Sequence, residues 1–299
     1  MKTLNALLLL CFFVPLQVFT QTTVKAEDII SSINNGEKIT YTDAQIKGSL
    51  NFIDVDDKER KNNGMFDGTD NYECHINVAV HFKNCTFTND VVAYYSNDDD
   101  EELYNAMFHE DVTFENCTFK GEALFKYSEF DKMSVFRKNK FEELALFKYS
   151  EFEQEGDFND CMFEDEANFK YTEFSKKAYF NNCQFNDEAT FKYTKFKDAA
   201  EFNQVNFGED VTFKYTEYDE HVSYTGSTFE WDADFKYTKF PEGVSFENVH
   251  FDGDAVFKYT KFRDPLVMKG VKFDGETDFK YTKYNGKDFT KYLLENNLK

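Results

Sequence analysis

The chain has 299 residues and is crowded with Phe (37) and Tyr (18) against a single Trp, with only 13 Gly and 3 Pro. So little Gly and Pro excludes a loop-rich or disordered polypeptide, and so many Phe demand a large buried ring surface. Asp+Glu 56 against Lys+Arg 34 leaves a formal charge of -22, which excludes general coating of nucleic acid by counterion release.

Residues 1–20 read as a secretory signal: Lys2, an apolar run from Ala6 to Val14, Pro15, then Val18 and Thr20 as the small residues before a mature N-terminus at Gln21. The run is too short to span a bilayer, and no other stretch approaches the ~18 apolar residues a span requires. Cys11 lies inside it without the small residues of a lipid-anchor box. The expectation is an exported protein, periplasmic or extracellular at the cell surface, with no membrane span and with five cysteines after processing.

Residues 21–38 read as a linker and a short cap helix over Ala26–Asn35. Residues 39–107 read as irregular coils, in which Tyr41, Ile46 and Phe52 are large inward residues and Ile39, Ala44 and Leu50 are their small partners; Ile76, Phe82 and Phe87 continue the series. Two charge-rich interruptions, Ile53–Tyr72 and the tract Asp98–Glu102, read as loops projecting from the coils. Residues 108–284 are regular, and 285–299 form a C-terminal cap centred on Phe289–Leu294.

The regular part is a repeat. The string FKYS or FKYT begins at Phe125, Phe147, Phe169, Phe191, Phe213, Phe235, Phe257 and Phe279, eight copies spaced by 22. From Phe108 to Tyr284 a large residue recurs in alternating steps of 5 and 6, and a further step of 5 reaches Phe289; of these 34 positions 30 are Phe, three Tyr (Tyr218, Tyr224, Tyr284) and one Met268. Small residues such as Ala123, Ser128, Ala167 and Thr194 precede the large ones by two. Neither helical nor simple strand periodicity gives these steps. A coil with four short sides does, because residues i and i+2 of an extended segment share one face.

Units such as Ala167-Asn168-Phe169 and Ala233-Asp234-Phe235 resemble those of the pentapeptide-repeat family. The resemblance implies an all-β fold, a right-handed quadrilateral β-helix, with about ten coils of 22 residues. The chain departs from the family pattern by using Phe at nearly every large position and by adding a sixth residue to every second unit.

In FKYT the Phe and Thr point inward while Lys and Tyr face out, so stacking builds two columns: Lys126, Lys148, Lys170, Lys192, Lys214, Lys236, Lys258 and Lys280 beside Tyr127, Tyr149, Tyr171, Tyr193, Tyr215, Tyr237, Tyr259 and Tyr281. Tyr95 is expected to extend the Tyr column, and an acidic column (Glu122, Glu166, Glu188, Asp210, Asp232, Asp254, Glu276) to soften the repulsion between lysines. Tyr rings can also hold the ammonium groups by cation–π contact. The stripe reads either as a self-satisfied structural ladder or as a surface for an extended partner, a glycan or a protein strand. Cys85, Cys117, Cys161 and Cys183 occupy the small inward position of one side. Cys85–Cys117 and Cys161–Cys183 are then vertical neighbours and candidate disulfide pairs, although in-register Cβ atoms stand wider than a bridge prefers, which favours buried filler.

No catalytic constellation stands out. His75, His81, His109, His221 and His250 share no metal-ligand spacing, and no phosphate loop or nucleophile elbow occurs. No metal, cofactor or catalytic residue is expected. The function reading is a non-enzymatic binding or structural rod, with end-to-end or dimeric association left open. Two alternatives stand beside it. One, implied by the family resemblance, is an acidic mimic of duplex DNA that protects topoisomerases; export and the lysine column oppose it. The other is a β-helix carbohydrate-active enzyme, which the scatter of acids over every coil opposes.

Overall fold

The computed structural model describes residues 21–61, 70–97 and 102–295. Residues 1–20, read above as a signal, part of the first charge-rich interruption and all of the acidic tract but Glu102 lie outside the described residues.

The chain winds into a β-solenoid with four faces, each a parallel sheet with one short strand per coil. In the fourth coil these strands are Ser134–Val135, Lys140–Phe141, Ala145–Leu146 and Glu151–Phe152, here called the first to fourth faces. Strands pair with those 22 residues on, as in Ala145↔Ala167 and Phe152↔Phe174. The first and third faces hold ten strands each, the second eleven and the fourth thirteen. Ten complete coils therefore run from Ile39 to Tyr284.

The inward pair is visible in any coil: Ala167 and Phe169 are both 0% exposed while Asn168 between them is half-buried. Each core ring lies parallel on the ring of the next coil and edge-on to rings of neighbouring faces. Phe147, for example, is 5.1 Å from Phe169 at 2° and 5.2 Å from Phe158 at 87°. Both are favourable aromatic geometries. Tyr218 and Tyr224, two of the lattice tyrosines, sit six residues apart on the fourth face of one coil and the first face of the next and share a hydroxyl–hydroxyl hydrogen bond of 2.6 Å, so each offsets the other's desolvation penalty.

The 5 and 6 steps make two kinds of corner. Five-residue steps turn through a β-turn whose third residue has positive φ. At the corner from the third to the fourth face this residue is always Tyr, at φ 58–63°. From the first to the second face it varies, as in Lys138, Asp160, Asn182, Gln204, Gly226 and Asn248. The six-residue step from Phe130 to Phe136 has no positive-φ residue, and Lys132 and Met133 there are exposed; Gly243, between Phe240 and Phe246, is a positive-φ exception among these steps.

The N-terminal half differs from its sequence reading in three ways. Thr22–Lys25, expected to be linker, is a strand in register with Ala44–Lys47 and covers an edge of the second face. Behind it helix α1 (Ala26–Asn34) lays Ile29, Ile30 and Ile33 over the open end of the core. The interruptions also hold strands, not loops alone. Lys58–Lys61 pairs antiparallel with Asp70–Ile76, and Tyr94–Asn97 with Glu102–Phe108. Asp70–Ile76 and Glu102–Phe108 run parallel over seven residues, so the fourth face grows past the coil as a wing. Lys58–Lys61 and most of Asp70–Ile76 are polar on both sides, and Glu102–Phe108 ends in three successive buried residues, Ala106, Met107 and Phe108, so no hydrophobic alternation announced these strands. At the far end Phe289 leaves the lattice. It opens helix α2 (Phe289–Glu295) and plugs the core against Phe262 and Phe279, at 5.2 and 5.0 Å. No helix among the described residues is long and apolar enough to cross a membrane.

Candidate functional site

The Lys and Tyr columns lie on a corner, between the third and fourth faces, rather than on a flat side. The backbone N–H of each Ser or Thr in FKYS or FKYT donates to the Phe carbonyl at 3.0–3.2 Å, closing the turn that holds Tyr at positive φ. A bulky residue there is costly, and two contacts offset the cost. Beneath the turn, the Thr hydroxyl donates to a Phe carbonyl one coil down: Thr172 to Phe147 and Thr194 to Phe169, each 2.6 Å, and Thr216 to Phe191 at 2.7 Å. Outside, the eight rings stack with centroids 4.7–4.9 Å apart.

Each ring in the middle of this column therefore has both faces covered by tyrosines and shows a partner only its edge and hydroxyl. The ammonium groups of Lys126, Lys148, Lys170, Lys192, Lys214, Lys258 and Lys280 stand 4.9–5.7 Å from the centroid of the following Tyr. Lys236 instead meets Asp234 on the third face at 3.0 Å. The acidic column does not reach the lysines. Its three Asp carboxylates accept backbone N–H groups of the next coil, Asp210 from Asp232 at 3.1 Å, Asp232 from Asp254 at 3.0 Å and Asp254 from Glu276 at 2.8 Å. Among the described residues no carboxylate lies within ion-pair distance of Lys148, Lys170, Lys192, Lys214, Lys258 or Lys280. Burial, then the charges of Lys126 and Lys170, pull the Lys148 ammonium below the ordinary lysine value.

At its N-terminal end the column meets the wing. Tyr94, not Tyr95, caps the last ring: it is tilted 52° to Tyr127 at 5.8 Å, and its hydroxyl accepts from Lys126 at 2.8 Å, while Tyr95 is exposed. Here lies a cavity of about 560 Å³ between wing and corner, lined by Asn71, Glu73, Asn105, Ser128, Glu129 and Glu151 among others. The buried side-chain oxygens without a hydrogen-bond partner among the described residues are Asn71 Oδ1, Asn105 Oδ1 and Ser128 Oγ, and all three residues line this cavity. Glu129 and Glu151 are held above the usual carboxylate range, chiefly by burial and then by neighbouring acids, Asp131 and Glu151 for the first and Glu173 for the second. Sequence periodicity gave no sign of this cavity, because the wing lies off the 22-residue lattice.

Residues 169–217 and 220–261 match the family model described as pentapeptide repeats, in nine copies. This segment of the solenoid is built of pentapeptide repeats. No curated protein and no solved structure matches it. The matched segment carries the stripe from Lys170 to Tyr259, so the columns belong to the repeat itself.

All five described cysteines are free and buried. Cys161 and Cys183 do at their corner what Thr does at the Tyr corner, with Sγ 2.8 and 3.0 Å from the carbonyls of Phe136 and Phe158, and burial pushes both thiols up. The repeat also gathers side chains that spacing had left apart. His75 Nδ1 is 2.8 Å from His109 Nε2, whose ring reaches Asp131 at 2.7 Å. Glu59 and Glu73 stand beside His75, with Lys61 3.0 Å from each carboxylate, and His250 lies between Asp252 and Asp274 at 2.9 and 2.8 Å. Both trios carry donors of the kind that bind divalent metals, although the first already has a lysine as its counter-ion.

Proposed function

We propose that this exported, non-enzymatic rod is a binding scaffold whose Lys/Tyr corner takes an extended anionic glycan at the cell envelope. One observation carries the reading: ammonium groups recur in every regular coil, seven of the eight with cation–π support, and six have neither a carboxylate nor a phenol oxygen as partner among the described residues. Like charges one coil apart repel by just under about 1 kcal/mol in water, and a polymer with evenly spaced acidic groups relieves that repulsion. Because the interior rings are covered face to face, the Tyr column contributes hydroxyl hydrogen bonds rather than sugar stacking. Export places the rod away from the cytoplasmic target of a DNA mimic, and the lysine corner interrupts the acidic surface such mimicry needs.

The test is an array of anionic and neutral glycans beside an envelope pull-down. Wild type should retain anionic glycans and lose them on joint substitution of Lys170→Glu, Lys192→Glu and Lys214→Glu. Equal binding by the triple variant would remove the corner from the mechanism.

A further inference from the structure

The fourth face carries a charge order that the other faces lack. Its central outward residue is charged in every coil from the third to the tenth: Glu129, Glu151, Glu173, Lys195, Glu217, Lys239, Lys261, Lys283. The third face at the same level reads Leu124, Leu146, Asn168, Thr190, Thr212, Asp234, Val256, Asp278, and the first and second are mostly neutral too. Reversed about the boundary between the sixth and seventh coils, the fourth-face order becomes its own opposite. Glu129 falls on Lys283, Glu151 on Lys261, Glu173 on Lys239, and Lys195 on Glu217. The next outward row agrees, with Glu153 on Arg263 and Lys197 on Asp219.

Within one chain these runs are poorly compensated. Among the described residues Glu129, Glu151, Lys239, Lys261 and Lys283 make no ion pair, while Glu173 is shared by Lys195 and Lys197. A second, independent observation points the same way. The wing cavity beside Glu129 and Glu151 presents the orphaned oxygens of Asn71, Asn105 and Ser128, of which Asn105 and Ser128 are 6% and 1% exposed. Unpartnered acceptors beside unpaired carboxylates call for a cationic donor.

We propose that the fourth face docks a second copy of this chain, antiparallel, across a two-fold axis that lies in the face along its strands, between the sixth and seventh coils. The operation keeps strand direction and reverses the rod, so each outward row meets its own counterpart and the interface is isologous. Lys283 and Lys261 of the second copy reach the acidic end at the wing cavity, and the reverse contact occurs at the other end. The edge of the Tyr column runs beside the seam: rings from Tyr193 to Tyr281 share a groove of about 630 Å³ with Lys239, Lys261 and Lys283. In the chain the corner lysines precede the tyrosines on the third-face side of the corner, where Lys236 meets Asp234; all but Lys126, which bonds Tyr94 of the wing, stay outside the seam. Dimerisation is thus separate from glycan capture, and either can fail without the other.

Sedimentation of the full mature chain tests the pairing. Wild type should be a dimer at low salt, with Kd rising roughly tenfold or more between about 50 and about 500 mM salt. One variant carries Lys239→Glu, Lys261→Glu and Lys283→Glu; the other carries Glu129→Lys, Glu151→Lys and Glu173→Lys. Each alone should be a folded monomer, with the circular dichroism spectrum of wild type because all six side chains point outward, and the two mixed should form a one-to-one heterodimer. Zero-length carboxyl–amine cross-linking should join Glu129 to Lys283. Within one chain these lie seven coils apart, about 34 Å, beyond reach. A monomeric wild type, dimers that survive in either variant alone, or no heterodimer on mixing would each overturn the proposal.

Discussion

The solenoid turns twice per coil through the same kind of β-turn, and the two corners are filled differently. From the first to the second face the positive-φ residue is Asn, Asp, Gly, Gln or Lys, and beneath it sit Cys117, Asn139, Cys161, Cys183, Val205, Ser227 and Val249. Asn, Asp and Gly are what a left-handed position favours, and the buried position accepts any small side chain, hydroxyl or not. At the other corner the same backbone holds Tyr over Ser or Thr in every regular coil. The backbone therefore does not require Tyr. What singles it out is contact between coils: a ring with a ring above and below gains about 0.5–1.5 kcal/mol from each stack, against a left-handed cost of about 1–2 kcal/mol. Such a residue pays only as part of an unbroken column.

Three experiments separate the corners, in falling order of effect. The largest should be blind to the difference. Phe191→Asp before the Tyr corner and Phe180→Asp before the varied corner each bury a charge where a fully enclosed ring stood, and each should cost at least about 4 kcal/mol and fray or unfold the rod. An unchanged melting curve in either would refute the inward assignment.

The middle effect should split them. Tyr193→Gly relieves the positive-φ strain but cuts two stacks, at 4.8 and 4.9 Å, for a net loss of up to about 2 kcal/mol. Asn182→Gly has no stack to lose and should stay within about 0.5 kcal/mol of wild type. Denaturant midpoints that moved equally would deny the column any role in stability.

The smallest concerns charge. Lys148 titrates below an ordinary lysine, with burial the main cause and Lys126 and Lys170 adding to it. Since its folded value is the lower one, the unfolded chain binds more protons in the window just below 10.5, and this group's contribution to stability rises with pH through that window. NMR titration of Lys148 in the Lys126→Gln, Lys170→Gln double variant should show a partial return toward the ordinary value; a static value would mean burial acts alone.

The legible part of this molecule is the part its period reaches. Steps of 5 and 6 mark Phe125 to Phe279 as inward, set the coil at 22 residues, and align Lys170 with Lys192 and Tyr171 with Tyr193 before any coordinates exist. Where insertions lengthen a turn, that arithmetic fails. His75 and His109 are 34 residues apart yet share a hydrogen bond, and Tyr94 rather than Tyr95 meets the Tyr column because the wing strands reset the register. The acidic column was visible, but the proximity of its carboxylates to the next coil's N–H groups was not, and it leaves the lysines unneutralised.

The sequence by itself determined the solenoid, its inward rings and its outward columns, because a fixed repeat forces each side chain onto the one 22 residues away. Only the tertiary structure decided which corners are hydrogen-bonded turns, how the wing ends the Tyr column, and that the unpartnered polar oxygens gather beside the acidic end of the fourth face. Those outcomes depend on which groups compete for each hydrogen bond across coils and across the wing, and no period in the chain records that competition.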